Sequence, residues 1–358
     1  MKKLLLPIIG IFVFASIMSS CNNDDDNEAC VESTWYQDDD NDGLGNPDAS
    51  VQACDQPDGY VANNDDTEDN SAECKYEAFS DEQQACDLAV GDPSITITTD
   101  ESADTRTIVT NGLPDHGIGS VQAVGIEAEA GDYTLEVDLT PEKASEVTEI
   151  FPDRPTYYVG VALNGVLIDN APGIAVLSSD DGLPSIGPDL VYEPTMIDPL
   201  TSFIDCNDGH VGIAFSNYHY HGDASEYASS TLGADGTKMV LFGWAADGFP
   251  IYYKYAYSTA SNANSAVIEM ESSYQVKEGS RTGDGESAPC GDYDGTIWGD
   301  WEYVSGSGDL DECHGRTGVT PEFPDGTYYY VVTGDTPSLP RCLVGTPSED
   351  FSLGLGGM

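Results

Sequence analysis

Basic residues are scarce. The chain carries 12 Lys and Arg against 64 Asp and Glu over 358 residues, a formal net charge of −52. Self-repulsion on that scale excludes nucleic acid and anionic lipid as partners, because both are bound through cationic side chains. It suits a chain that takes up divalent cations or must stay soluble in salt. Histidine is also sparse, with five in all. There is no G-x-S-x-G, no H-E-x-x-H and no P-loop, so the familiar nucleophile, zinc-helix and phosphate motifs are missing. Beyond Ile17 no segment reaches the roughly 18 apolar residues that a membrane span needs.

The one apolar run stands at the start. Lys2 and Lys3 precede an apolar stretch from Leu4 to Ile17, and Met18-Ser19-Ser20 leads into Cys21. A basic, then apolar, then small-residue pattern is a secretory signal. The run into Cys21 resembles a bacterial lipobox, with Met18 where Leu is more usual. The resemblance implies a signal peptide over 1–20 and a membrane anchor through lipid on Cys21, where each buried methylene contributes about 0.8 kcal/mol. Residues 21–33 then form an acidic tether. Its Asn22-Asn23-Asp24-Asp25-Asp26 is similar to the export tag of lipoproteins displayed on the outer face of the outer membrane. The expected location is therefore the outer membrane, exposed at the cell surface.

Eight cysteines follow Cys21, in two groups: Cys30, Cys54, Cys74 and Cys86, then Cys206, Cys290, Cys313 and Cys342. An even number in an exported chain reads as disulfides. The long gap between the groups predicts two separate frameworks, each with three possible pairings.

Composition divides the rest. Residues 22–92 hold 22 acids and one base, Lys75, and little apolar periodicity. Cysteines or metal must hold such a segment together. From Ser94 onward, Ile95-Thr-Ile-Thr, Tyr133-Thr-Leu-Glu-Val-Asp-Leu and Tyr157-Tyr-Val-Gly-Val-Ala-Leu read as strands, and Asn164-Gly165 as a hairpin turn. Pro141 to Glu149 reads as one short helix. The expected fold is mainly β: a single large antiparallel, sandwich-like domain over 93–348, after a small disulfide- and calcium-stabilised loop module over 34–92. A short tail covers 349–358.

Within the large domain a repeat is visible. Asp205-Cys206-Asn-Asp-Gly-His210 precedes Asn217-Tyr218-His219-Tyr220-His221. Asp311-Glu-Cys313-His-Gly315-Arg316 precedes Gly326-Thr-Tyr328-Tyr329-Tyr330. Duplication explains the likeness, and so do two similar hairpins.

In the module, Asp38, Asp40 and Asp42 alternate ahead of Gly43. Calcium takes six to eight hard oxygens at flexible geometry, and this spacing wraps three carboxylates round one ion. The loop is not an EF-hand, since Ala49 stands at its twelfth position. Closing ligands would come from Asp65, Asp66, Glu68 and Asp69, with Asp66 and Asp69 the leading candidates. The stretch from Thr34 to Asp66 resembles the thrombospondin type 3-like calcium loops of secreted proteins. Those loops have a second Cys where this chain has Thr67, which leaves Cys74 as a candidate partner for Cys54.

All five histidines lie in the large domain, and His116, His210, His221 and His314 each adjoin a Gly. On a strand, Tyr218-His219-Tyr220-His221 points both imidazoles to one face and both phenols to the other, like side chains about 6.5–7 Å apart. Two such His can chelate Zn, Cu or Fe with one or two further ligands. His116, His210, Asp205 or Asp247 could complete the shell. A Tyr/His strand can equally spend its polar edges on hydrogen bonds to backbone. Asp247-Gly248 also reads as a tight turn.

The run of motifs is similar to the YHYH domain family. It comprises Asn111-Gly-Leu-Pro-Asp-His116, Val161-Ala-Leu-Asn-Gly165, Cys206-Asn-Asp-Gly-His210, Tyr218-His-Tyr-His221, Gly243-Trp-Ala-Ala-Asp247-Gly-Phe-Pro-Ile-Tyr252, Leu310-Asp-Glu-Cys313 and Tyr328-Tyr-Tyr330, spread over roughly residues 108–348. The chain departs from the family at Tyr329, which is often His, and at His314, more often Asn. The family has no established activity. The resemblance implies a metal or ligand site lined by His116, His210, His219 and His221. Three readings follow: a binding protein for a transition metal or an environmental ligand, a secreted metal-dependent hydrolase or oxidase with Asp247 or Asp115 as base, or a purely structural module.

Overall fold

The computed structural model describes residues 32–38, 45–65, 85–119, 127–151, 156–170, 204–211, 217–282 and 290–353. The chain divides into two compact units, Met1–Ala72 and Glu73–Met358. In the first, strand Ser33–Gln37 pairs antiparallel with Ser50–Ala53 on one side and Tyr60–Val61 on the other. Asp38, directly after the central strand, is buried, and its amide donates to the Gly59 carbonyl at 2.9 Å. The other expected calcium ligands, Asp40, Asp42, Asp66 and Asp69, lie outside the described residues. So do Cys21, Cys30, Cys74 and the signal segment.

The second unit is mainly β. Strands Ile95–Asp100, Thr105–Thr110 and Tyr133–Asp138 form one antiparallel sheet. Alternation turns Ile108, Leu135 and Val137 into the main core. The large sheet has eight strands, in the order Gly209–Val211, Tyr218–Tyr220, Leu167–Ile168, Gly160–Ala162, Leu241–Ala245, Pro250–Tyr253, Thr327–Val332 and Gly315–Gly318. Its pairings are antiparallel except two: Tyr218–Tyr220 runs parallel to Leu167–Ile168, and Thr327–Val332 runs parallel to Pro250–Tyr253. A tight turn cannot make a parallel pair, so a long crossover connects each.

That sheet contains the repeat in full. Each copy begins with a hairpin turned at Asn164-Gly165 or Asp247-Gly248. The two glycines have φ of +90° and +88°, a backbone that L side chains rarely adopt. Each copy ends with an aspartate loop and a tyrosine strand. The copies meet at Trp244↔Val161, with Gly243↔Ala162 and Ala245↔Gly160 on either side, as an approximate twofold axis requires. In copy one, Asp205 Oδ1 accepts the amides of Asn207 and Gly209 at 2.9 and 3.2 Å, and its carboxylate accepts the Tyr218 hydroxyl. In copy two, Asp311 Oδ1 accepts the amides of Cys313 and Gly315 at 3.1 and 3.0 Å and the Tyr328 hydroxyl at 3.0 Å. A Cβ on Gly209 or Gly315 would stand 2.3 Å from the phenol oxygen that reaches the aspartate. Only Gly admits that contact.

Two expectations need correction. Residues Lys143–Glu149 form an edge strand against Cys342–Gly345, not a helix. Helix propensity there is a weak preference, and pairing with a strand fixed by a disulfide overrides it. The cysteine groups also do not keep to themselves. Cys86 bonds Cys206 across a separation of 120 residues, while Cys313 bonds Cys342. The Cys86 segment belongs to the large body, because Leu88 pairs with Ile118 through bonds of 3.0 and 2.9 Å. Cys54 and Cys290 are disulfide-bonded as well.

Candidate metal centre

The strand Tyr218–Tyr220 carries the site because its two sides differ. Tyr218 and Tyr220 enter the main aromatic core. His219 and the following His221 turn the other way and meet His210, which pairs with His219 across the hairpin. Three imidazoles converge there. His210 Nε2 lies 2.9 Å from His219 Nε2 and 3.0 Å from His221 Nε2. Ring centroids are 4.6, 4.8 and 4.7 Å apart, so the rings stand in a near-equilateral triangle. His219 and His221 thus come closer than a flat strand allows, since His221 lies just past its end.

The protonation state suits ligation. Burial pushes the His210 pKa down to about 4. His219 and His221 are also held well below the ordinary value, by burial first and by the neighbouring imidazoles second. The three rings are neutral at pH 7. His219 Nδ1 lies 3.2 Å from the Asn217 carbonyl. A proton held there by the carbonyl leaves the Nε2 lone pair facing the centre, the arrangement typical of a metal-ligating His. The Asp169 backbone beside His221 works in the opposite direction, raising its pKa against the larger effect of burial. Asn217 and Asp169 were not among the sequence candidates. They contribute backbone, which no side-chain pattern reports.

The other expected ligands lie elsewhere. His116 sits on the phenol side of the strand, with Nε2 2.6 Å from the Tyr220 hydroxyl and Nδ1 2.7 Å from the Gly117 carbonyl. Asn164 donates to the same hydroxyl at 2.9 Å and to Asp115 at 3.0 Å. Asp205 holds its own loop together. Asp247 accepts the Tyr330 hydroxyl at 2.6 Å and the Gly345 amide at 2.8 Å. Both carboxylates are buried, and burial raises both pKa values against the hydrogen bonds they accept. Cys86, Cys206 and Glu226 also lie close together, but the two sulfurs are spent in a disulfide.

A family model described as YHYH protein matches residues 134–345. The chain belongs to that family. No curated protein and no solved structure matches it. The matched span of this YHYH domain includes all three converging imidazoles and both aspartate loops, while His116 falls before it.

His314, which opens the tyrosine hairpin of copy two, is the domain's remaining His. It is fully buried at φ +65°, and its Nε2 is 3.0 Å from Thr333 Oγ1. Burial, with a smaller contribution from the Arg341 charge, lowers its pKa to about 3. At pH 7 the ring is neutral folded and unfolded. Below about pH 6.5 the unfolded chain takes up a proton that the folded chain refuses, so stability falls with pH down to about 3. His314→Asn keeps a residue that tolerates positive φ and removes the titration. Urea unfolding at pH 7 and pH 4.5 is expected to show the variant losing about 2 kcal/mol less than the wild type over that interval. Equal losses would contradict this assignment.

Proposed function

We propose that this domain binds one transition-metal ion, Zn, Cu or Fe, through Nε2 of His210, His219 and His221. The convergence of three buried, neutral imidazole nitrogens carries the reading. Tetrahedral Zn–N bonds of about 2.0–2.1 Å would set ligand nitrogens roughly 3.3 Å apart, close to the spacing here. Hydrogen bonding accounts for the cluster less well. His210 Nε2 faces two other nitrogens, and a neutral ring has at most one proton at that atom.

The repeat supplies an internal control. Copy two keeps the aspartate, the tyrosines, the glycines and the hydrogen bonds, yet has Arg316, Tyr329 and Val331 where copy one has His210, His219 and His221. The scaffold therefore folds without the three His. This speaks against a purely structural role for them.

Three imidazoles leave a fourth coordination position, which a bound ligand or a water could take. An environmental ligand makes the domain a metal-dependent binder. A metal-activated water would make it a hydrolase, and dioxygen an oxidase. The binder is the favoured reading, because the two carboxylates offered as bases, Asp115 and Asp247, are spent on Asn164 and on the Tyr330 hydroxyl and Gly345 amide. The setting proposed for it is an exported chain, lipid-anchored at Cys21 and displayed on the outer membrane. Calcium held by Asp38 and its acidic neighbours would stiffen the stalk. The test is elemental analysis of the full chain, purified without a histidine tag, beside the His219→Ala/His221→Ala variant.

A further inference from the structure

A second concavity lies away from the imidazoles, beside the aspartate loop of copy two. It has a volume of about 380 Å³. Strand Lys143–Glu149 supplies Glu149 at one edge, and the loop gives Glu312. Tyr274, Trp298 and Trp301 supply aromatic surface, and Arg341 and Lys277 bring positive charge.

Its walls are held in place. The Arg341 guanidinium lies 3.8 Å over the Trp298 ring and 5.0 Å from the Tyr274 ring, and its Nη1 donates to the Trp298 carbonyl at 3.3 Å. Phe151 meets Trp298 edge-on at 5.9 Å. The Trp301 indole donates to the Gly295 carbonyl at 3.0 Å, and the Tyr274 hydroxyl to the Glu312 carbonyl at 2.8 Å. Lys277 donates to the Gly299 carbonyl. Tyr274 and Trp301 are only half-buried, and both line the cleft. Aromatic surface fixed this way along a cleft is ready to receive a ligand at little further ordering cost.

The charges define the ligand. Two of the chain's 12 bases stand here, matched by two carboxylates, so the cleft is locally neutral inside a molecule of net charge −52. An anionic ligand would meet Glu149 and Glu312 and the field of the whole chain. A purely apolar ligand would strand four charged groups. A neutral polyhydroxylated ring fits both halves: its C–H face lies on indole and phenol, and its hydroxyls donate to carboxylate and accept from ammonium.

We infer that this cleft binds a neutral oligosaccharide, with Trp301 and Tyr274 as the stacking platform and Glu149, Glu312 and Lys277 reading hydroxyls. Its location gives the domain a second binding function, independent of any metal.

Calorimetry and tryptophan fluorescence on the full chain, titrated separately with cellohexaose, xylohexaose, mannohexaose and hexagalacturonate, test it. At least one neutral hexamer is expected to bind and shift tryptophan emission. Trp301→Ala and Glu312→Gln, both near the surface, should each weaken binding by about tenfold while the melting temperature is kept. His219→Ala should leave it unchanged. Binding of hexagalacturonate alone, binding untouched by both cleft variants, or no binding of any neutral hexamer at millimolar concentration by the folded chain would overturn the inference.

Discussion

The His219→Ala/His221→Ala variant is expected to purify with less than about a tenth of the metal that the wild-type chain carries, close to one equivalent. A single remaining imidazole, His210, cannot hold a transition metal against buffer and chelating medium components. The fold should survive. The backbone of the strand is held by His210↔His219 and His219↔Leu167 pairing, which does not depend on the side chains. Copy two shows the same strand built with Tyr329 and Val331 at those positions. The phenol side, with Tyr218 and Tyr220 in the core, is untouched. Equal metal content in the two proteins would remove the imidazoles from any account of the site.

The second large effect falls on Asp205. Its carboxylate accepts the Gly119 amide at 2.9 Å, besides the amides of Asn207 and Gly209 and the Tyr218 hydroxyl. Asp205→Ala leaves four buried donors without that acceptor. Each unsatisfied buried donor costs about 1–3 kcal/mol, and partial relaxation brings the expected loss to about 4 kcal/mol in urea unfolding. Asp311→Ala should cost about half as much, because Asp311 is only half-buried and takes three donors among those described. Asp205→Ala also releases the loop that aims His210, so its metal content should fall with its stability. A loss below about 1 kcal/mol would show that the loop is held by something other than this carboxylate.

Much of this was readable from the residues. Alternation in Tyr218-His-Tyr-His221 separates imidazoles from phenols, because a strand has a period of two. The likeness between the Asp205 and Asp311 segments was visible, since each aspartate precedes its Gly by four positions. The full repeat was not. The hairpins turned at Asn164-Gly165 and Asp247-Gly248 stand in front of connecting segments of different length, and a linear comparison loses the phase. His116 illustrates a different limit. A His beside a Gly in a loop has no period to say which face it meets, and only the register of the folded chain places it against Tyr220. The edge strand Lys143–Glu149 was misread for a related reason. Its side chains are almost all exposed, so no buried face imposes a period of two. The Cys86–Cys206 bond was equally out of reach, because spacing in sequence carries no information about which loops meet across 120 residues.

In the proposed site His210, His219 and His221 together ligate one metal ion. X-ray absorption at the edge of whichever metal the purified chain contains tests it most directly. The expected shell has three imidazole nitrogens at about 2.0–2.1 Å and at most one or two further light atoms. A sulfur shell at about 2.3 Å, a shell of oxygens alone, or a folded chain that takes up no Zn, Cu or Fe would contradict it.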